Sequence, residues 1–168
     1  ESRIVAKPEA PRELEKVFLT GRWDAQPIML SGNTDPYQPV EKKLKITRGI
    51  LRVLLKYRHP VNVITKNAMI TRDLDLLEKL AQRRLVRVVF SITTMKESIR
   101  RIMEPRSAST EKLLDAIRQL SDRGVPVGVM FAPVIPSLND DEMDTVLRSA
   151  SISGAAYAGY TLVRLNGQ

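Results

Sequence analysis

Five short runs of β-forming residues, separated by amphipathic segments, constrain the fold of this chain more than any other feature. They begin near Ile28, Val61, Val86, Val127 and Ala158. The apolar residues in each run follow one another almost without interruption, whereas a strand with one wet face would alternate. Such runs are typical of a parallel sheet covered on both faces. The repeat therefore predicts an α/β protein, either an open doubly wound sheet or part of a (β/α) barrel.

The segments between the runs carry helix signals. The spacing of apolar residues predicts five helices: around Arg12 to Leu19, between Glu41 and Tyr57, around Leu77 to Ala81, from Ser109 or Thr110 to Gly124, and from Met143 to Ala150. Asn139 precedes the last of these helices, and Glu142 lies three residues after Asn139, which is the spacing of a capping box.

Length and composition predict one core. The chain has 168 residues, of which 43% are hydrophobic, so residues 1–168 are interpreted as a single domain. Residues 1–26 form a helical or extended lead-in and residues 27–168 form the βα units. No apolar stretch reaches membrane-spanning length and no signal peptide is evident, which predicts a soluble, cytoplasmic protein. The start at Glu1 rather than Met suggests a piece of a longer polypeptide.

The absence of cysteine and the presence of one histidine exclude several kinds of chemistry from these residues. They provide no disulfide, no thiol nucleophile and no thiolate ligand for zinc or an iron-sulfur cluster, so no metal ligand is assigned. The formal net charge of +8 favours anionic partners such as nucleotides or nucleic acid. Lysine and arginine concentrated in predicted helices are also typical of an ordinary solvated face.

Both candidate architectures place ligands at the carboxyl ends of the strands. Polar residues and one proline occupy those ends: Asn33, Thr34 and Asp35; Thr65, Lys66 and Asn67; Ser91, Thr93 and Thr94; Pro133; Arg164 and Asn166. No glycine-rich phosphate-binding fingerprint follows any strand, which favours a barrel over a dinucleotide-binding sheet.

Each polar residue also has an ordinary structural interpretation. Asn33 and Asp35 suit an Asx turn before Pro36. Lys66 could bind an anion or form a Schiff base as in barrel aldolases, and it could equally be a solvated loop lysine. Ser91 is as well suited to capping the next turn as to contacting a ligand.

Five segments occur in order over nearly the whole chain: SGNTDPYQPVEKKLKITRGIL, VNVITKNAMITRDLDLLEKLA, VRVVFSITT, RRIMEPRSASTEKLLDAIRQL and GVPVGVMFAPVIPSLNDDEMDTVL. Together they resemble radical S-adenosylmethionine proteins, and more narrowly a bacterial subfamily grouped with spore photoproduct lyase and labelled DNA repair photolyase-like. The resemblance implies a partial (β/α) TIM-like barrel of about five parallel strands. It also implies an enzyme in which a 4Fe-4S cluster binds S-adenosylmethionine and cleaves it to a 5'-deoxyadenosyl radical.

In that family three cysteines of a CxxxCxxC loop, after the first barrel strand, hold the cluster. This sequence has no cysteine. The resemblance places that loop and strand shortly before Glu1. The present chain is then expected to be a fragment that holds no cluster and is inactive alone.

The resemblance also implies roles for individual residues. Gly32, Asn33, Thr34 and Asp35 take the place of the segment that binds the methionine amine, with Asp35 as carboxylate and Gly32 as the close backbone approach. Lys66 could bind the cofactor carboxylate. Ser91 takes the place of a residue that contacts the ribose or the carboxylate of the cofactor. Arg106 takes the place of an arginine that contacts the cofactor carboxylate, and Pro133 lies where the family passes the chain beside the adenine. No catalytic residue is assigned.

Two classes of function are compatible with these residues. The first is the S-adenosylmethionine-binding part of a radical enzyme with an unknown substrate, for which nucleic acid is a candidate. The second is a cluster-free barrel, either aldolase-like with Lys66 or a non-catalytic nucleotide-binding module. The expected partners are a small-molecule cofactor, with nucleic acid and a second copy at the open barrel edge as candidates, and no membrane.

Overall fold

The computed structural model describes residues 5–31 and 34–164. It contains a sheet of five parallel strands in chain order, β1-β2-β3-β4-β5. The strands are β1 Ile28–Leu30, β2 Val61–Thr65, β3 Val86–Ile92, β4 Val127–Val134 and β5 Tyr157–Leu162. The predicted α/β fold of parallel strands flanked by helices is confirmed, and its strand order is that of a partial (β/α) barrel.

Seven α-helices lie among the described residues. They are α1 Ala10–Leu19, α2 Glu41–Leu44, α3 Ile46–Lys56, α4 Leu74–Ala81, α5 Glu97–Met103, α6 Thr110–Asp122 and α7 Met143–Ile152, with 3-10 turns at Ala68–Asp73 and Asp140–Glu142. Helix α5 has no counterpart among the predicted helices. No helix in the described part of the chain has both the length and the apolarity to cross a membrane.

The helix predicted between Glu41 and Tyr57 is divided in two. Lys45 has a left-handed backbone with φ of 52° and separates α2 from α3. The Glu41 carboxylate accepts hydrogen bonds from the backbone N–H groups of Ile46, at 3.0 Å, and Thr47, at 3.1 Å. It satisfies two donors that the start of α3 would leave unpaired, so this break is capped.

The capping box predicted for Asn139 and Glu142 is wrong. The Asn139 side chain does not cap the turn that follows it. Its amide nitrogen donates to the carbonyls of Thr93, at 2.7 Å, and Pro133, at 3.0 Å. Glu142 accepts from the Thr94 hydroxyl at 2.9 Å. Both side chains tie the ends of β3 and β4 together, and these long-range partners replace the local ones.

The core lies on one face of the sheet. Alternate strand residues form a single buried cluster with helix residues; its members include Val63, Val88, Phe90, Val129, Phe131, Leu51, Leu54, Leu77, Leu80, Ile117 and Leu120. The opposite face is more open, because Arg87 is exposed, Asn62 and Met130 are partly exposed and Met29 is 50% exposed. The sequence predicts a sheet buried on both faces, but only one face of the sheet is packed against helices. This is the arrangement of a barrel wall whose inner side is uncovered.

Tyr157 packs across β4 at Gly128. Its hydroxyl donates to the carbonyl of Val88 on β3 at 2.9 Å, and burial raises the pKa of Tyr157 above its ordinary value. A Cβ atom on Gly128 would lie 2.2 Å from Cε2 of this ring. The glycine therefore provides the space in which the tyrosine lies.

Replacing Gly128 with Ala is expected to lower the free energy of unfolding by about 1–3 kcal/mol, because the new methyl group overlaps the Tyr157 ring. Urea denaturation would measure it. Gly159→Ala is the matched control, since nothing lies within 4 Å of its added Cβ. In a Tyr157→Ala background the Gly128 substitution should cost much less, and an undiminished cost there would show that the ring is not the obstacle.

An aromatic cluster joins the N-terminal segment to the amino end of the sheet. Trp23 Nε1 donates to Nε2 of His59 at 2.7 Å, and the Phe18 ring stacks on the imidazole with centroids 4.9 Å apart. Because Nε2 accepts this bond, Nδ1 carries the ring proton and donates to the Pro60 carbonyl at 2.9 Å. The contact therefore requires the neutral imidazole.

Replacing His59 with Phe is expected to change the fluorescence of Trp23, the only tryptophan of the chain, because the substitution removes the acceptor of the indole N–H. The phenyl ring can keep the stacking contact with Phe18 but offers no nitrogen to Trp23. Emission spectra would measure the change, and far-UV circular dichroism would show whether the fold is kept. An emission spectrum identical to that of the unmodified chain would refute the hydrogen bond between Trp23 and His59.

Candidate functional site

A cavity of about 680 Å³ lies at the carboxyl end of the sheet. Three segments provide its lining: Asp35, Tyr37, Gln38 and Pro39 after β1; Lys66 and Asn67 after β2; and Glu104, Pro105, Arg106 and Ser107 after α5. The volume suits a nucleotide-sized ligand. Acidic and basic side chains both reach the lining, so the cavity can receive a ligand that carries charges of both signs.

Asp35 fastens the segment after β1 to the end of β2. Its Oδ1 accepts from the backbone N–H of Tyr37, at 2.7 Å, and from the hydroxyl of Thr65, at 2.7 Å. Its Oδ2 accepts from the backbone N–H of Lys66 at 2.6 Å. The first of these bonds is the Asx turn that the sequence suggests. Asp35 thus shapes the cavity, whatever it also contributes to a ligand.

Lys66 is surrounded by oxygen acceptors. Its ammonium group forms a short ion pair with Oε1 of Glu104, and it lies 3.2 Å from the Thr93 hydroxyl and 3.4 Å from the Ala132 carbonyl. These three acceptors match the three donors of a charged lysine. A Schiff-base lysine needs a free neutral amine, so this arrangement argues against the aldolase-like interpretation.

Ser91 and Pro133 do not line the cavity. Ser91 is buried, and its hydroxyl lies 3.5 Å from the Ala132 carbonyl, the same oxygen that Lys66 contacts. Pro133 follows a cis peptide bond, and its carbonyl accepts from Asn139. Both residues therefore lie beside the cavity without lining it. Their contact with the cavity runs only through the groups that hold Lys66.

The predicted site residues thus divide into groups. The cavity brings together Asp35, Lys66 and Arg106. Thr34 and Arg164 are exposed and lie outside the lining. Gly32, Asn33 and Asn166 lie outside the described residues. Cofactor binding by any of these residues stays a prediction.

Glu104 is the residue that sequence reasoning undervalued. Its carboxylate contacts both Lys66 and the Thr93 hydroxyl, the latter at 2.7 Å, and its side chain is 17% exposed. Lys66 and Glu104 are 38 residues apart, and no local pattern links them. The signal in the sequence was the resemblance, which places MEPRS in the segment after a barrel strand where the family often has an arginine that contacts the cofactor.

A buried charge network supports the wall of the cavity. Asp73 is fully buried and accepts from Arg48 at 3.0 Å and from Arg72 at 2.8 Å. Arg72 also donates to the carbonyl of Glu41 at 2.6 Å, and its guanidinium lies 5.8 Å from the centroid of the Tyr37 ring. Hydrogen bonds that the guanidinium groups donate to nearby carboxylates, first to Asp75 for Arg48 and to Asp73 for Arg72, raise the pKa values of both arginines. The network joins α2, α3 and the 3-10 turn behind Tyr37.

The Tyr37 hydroxyl is buried, and among the described residues it has no hydrogen-bond partner. Burial raises the pKa of Tyr37 well above its ordinary value. Tyr37 is therefore a neutral, largely apolar part of the cavity wall.

Comparison with known proteins identifies the family. The family model of the Radical SAM superfamily matches residues 2–150. The chain belongs to the radical S-adenosylmethionine superfamily. An uncharacterised protein of Methanocaldococcus jannaschii is 31% identical over 141 residues, which cover 84% of this chain and 51% of that protein.

Two further relatives extend the comparison. An uncharacterised protein of Mycobacterium tuberculosis is 28% identical over 157 residues, or 92% of this chain and 46% of the relative. An uncharacterised protein of Acidianus two-tailed virus is 32% identical over 130 residues, or 77% of this chain and 42% of the relative. The chain spans about half the length of the curated relatives it matches.

Membership of this family implies two cofactors, S-adenosylmethionine and a 4Fe-4S cluster. The residues of this chain are suited to one of these cofactors and not to the other. It has no cysteine, and its described residues contain no group of three or more histidine, aspartate or glutamate side chains placed to hold a metal ion. The cluster therefore does not fit this chain alone. S-adenosylmethionine fits better, because the cavity lining contains two carboxylate residues, Asp35 and Glu104, and two cationic residues, Lys66 and Arg106, which are the types that bind an ammonium and a carboxylate.

Proposed function

We propose that this chain is the S-adenosylmethionine-binding part of a radical S-adenosylmethionine iron-sulfur enzyme. The observation that carries the proposal is the cavity in which Lys66 and Glu104 meet at the carboxyl ends of β2 and β3, in a chain of this family. The family chemistry that the proposal adopts is reductive cleavage of the cofactor to a 5'-deoxyadenosyl radical. The substrate of that radical is not assigned.

The residues of this chain would bind and orient the cofactor. Its amino-acid end carries an ammonium and a carboxylate, which require acceptors and a cation, respectively. The ion pair between Lys66 and Glu104 provides one of each at a single point. A zwitterionic ligand can therefore satisfy both residues when it separates them, whereas a ligand with a single charge leaves one of them unpaired.

Three finer elements belong to the same proposal. Membership of the subfamily related to spore photoproduct lyase rests on the five sequence segments in register. A nucleic acid substrate is supported by the net charge of +8. Self-association is supported by the sheet edges, because in the described part of the chain β1 pairs only with β2 and β5 only with β4.

Calorimetry with S-adenosylmethionine tests the proposal on this chain and on a longer polypeptide that contains it together with a CxxxCxxC loop. The longer protein would first be reconstituted anaerobically with iron and sulfide. We expect weak binding to the chain alone, much tighter binding to the reconstituted protein, and 5'-deoxyadenosine after reduction. Equal affinities would show that the cluster is not part of the site, and absence of a CxxxCxxC loop from the gene would refute the enzyme proposal.

The aldolase-like alternative is tested by borohydride reduction in the presence of a small aldehyde. Because Lys66 is held by Glu104, Thr93 and Ala132, we expect no covalent adduct at this lysine. A mass increase located at Lys66, and absent from a Lys66→Arg variant, would favour the cluster-free barrel instead.

A further inference from the structure

The turn at residues 104–107 supplies four of the residues that line the cavity: Glu104, Pro105, Arg106 and Ser107. Its backbone closes with a hydrogen bond from Ser107 N to the Glu104 carbonyl at 3.0 Å. The next residue, Ala108, donates its N–H to the Lys66 carbonyl at 3.0 Å, which joins the turn to the end of β2. The position of Glu104 and Arg106 therefore depends on what holds this turn.

Arg100 on α5 contacts the turn from outside the cavity. Its Nη1 donates to the carbonyl of Ser107 at 2.8 Å and to the carbonyl of Glu104 at 3.2 Å. The same nitrogen lies 3.2 Å from the Ser107 hydroxyl. Arg100 does not line the cavity, and its side chain is only 12% exposed. Both ends of the turn thus converge on one nitrogen of a nearly buried guanidinium.

The other edge of the guanidinium is fixed by Glu97. Nε and Nη2 of Arg100 donate to the two carboxylate oxygens of Glu97, each at 2.7 Å. Arg101 contacts the same carboxylate at 3.0 Å, and these hydrogen bonds, first that of Arg100, lower the pKa of Glu97 to about 2. Glu97 is therefore charged at neutral pH and anchors the plane of the Arg100 side chain. A lysine has no fork with which to span both partners.

We infer that Arg100 is a positioning residue for the S-adenosylmethionine site, because it holds the 104–107 turn so that Glu104 meets Lys66 and Arg106 lines the cavity. This inference rests on the proposed function. Arg100 acts through the turn and does not itself touch the ligand.

The test compares Arg100→Lys with Arg101→Lys, which changes the neighbouring arginine on the same helix. Arg101 shares Glu97 but its side chain is 74% exposed. Calorimetry would use the reconstituted longer protein, for which tight binding is expected, with S-adenosylmethionine and with 5'-methylthioadenosine, the corresponding nucleoside without the amino-acid end. We expect Arg100→Lys to weaken S-adenosylmethionine binding by about 10- to 100-fold, as for lost hydrogen bonds to a charged group, and to change the nucleoside affinity much less. Arg101→Lys should change either affinity by less than about threefold.

Hydrogen exchange gives a second readout that needs no ligand. Amides of residues 104–108 should exchange faster in Arg100→Lys than in Arg101→Lys, while the amides of β2 to β4 stay protected in both. Equal S-adenosylmethionine affinities of the two variants, with binding intact in the unmodified longer protein, would overturn the inference alone. Equal losses for both ligands would show general destabilisation and would also overturn it. Failure of the unmodified chain and of the reconstituted longer protein to bind S-adenosylmethionine would overturn the proposed function together with the inference.

Discussion

Replacing Asp73 with Asn is expected to lower the free energy of unfolding by about 3 kcal/mol, since it removes the charge that two arginines share in the protein interior. Asp73 is fully buried, whereas Arg48 and Arg72 keep 20% and 24% of their side chains exposed. Arg48 retains a second partner in Asp75, at 2.8 Å, which limits the loss. Arg72 keeps the carbonyl of Glu41 but loses its closest carboxylate. Urea denaturation followed by circular dichroism would measure the change.

Asp144→Asn is the matched control for this prediction. Asp144 pairs with Arg148 at 2.7 Å on the surface of α7, where the two side chains are 75% and 76% exposed. Solvent screens such a pair, so its loss should cost less than about 1 kcal/mol. If both variants lost the same small amount of stability, the buried network would contribute no more than a surface ion pair.

Two features of the fold could be predicted from the sequence: the positions of the strands, which follow from the apolar runs, and the parallel order of those strands. The near-continuous runs at β2, β3 and β4 show the strands, and short crossovers through helices require parallel neighbours in chain order. Helix α5 was missed because Glu97–Met103 has no buried residue and hence no clear apolar face. The division of the helix after Glu41 depends on a carboxylate that turns back onto α3, which hydrophobic spacing cannot show.

The site could be predicted only in outline. The rule that parallel strands end at the same edge predicts that Asp35 and Lys66 lie close together, and both residues line the cavity. The ion pair between Lys66 and Glu104 does not follow from this rule. Glu104 lies in a turn whose position depends on its contacts with Arg100. Such contacts follow from tertiary packing and not from the spacing of neighbouring residues. The same limit explains why Asn139 was interpreted as a helix cap.

Asp35→Asn is expected to weaken both the site and the fold, because no orientation of an amide can replace this carboxylate. Oδ1 accepts from the backbone N–H of Tyr37 and Oδ2 from the backbone N–H of Lys66. An asparagine has one acceptor oxygen, so in either orientation its NH2 group faces a backbone donor. One unpaired donor should lower the free energy of unfolding by about 1–3 kcal/mol. Because these segments line the cavity, S-adenosylmethionine affinity should fall by about tenfold or more.

Asp24→Asn makes the same change of charge at an exposed residue outside the cavity, so it should leave both quantities almost unchanged. Urea denaturation and calorimetry on the two variants separate the roles that Asp35 can have. A loss of affinity without a loss of stability would show that Asp35 meets the ligand directly, as the resemblance of the Ser31 to Asp35 segment implies. A loss of both affinity and stability would show that Asp35 acts by joining the segment after β1 to the end of β2, as it does in the structure. If neither changed relative to Asp24→Asn, the three hydrogen bonds of Asp35 would hold neither the cavity nor the fold.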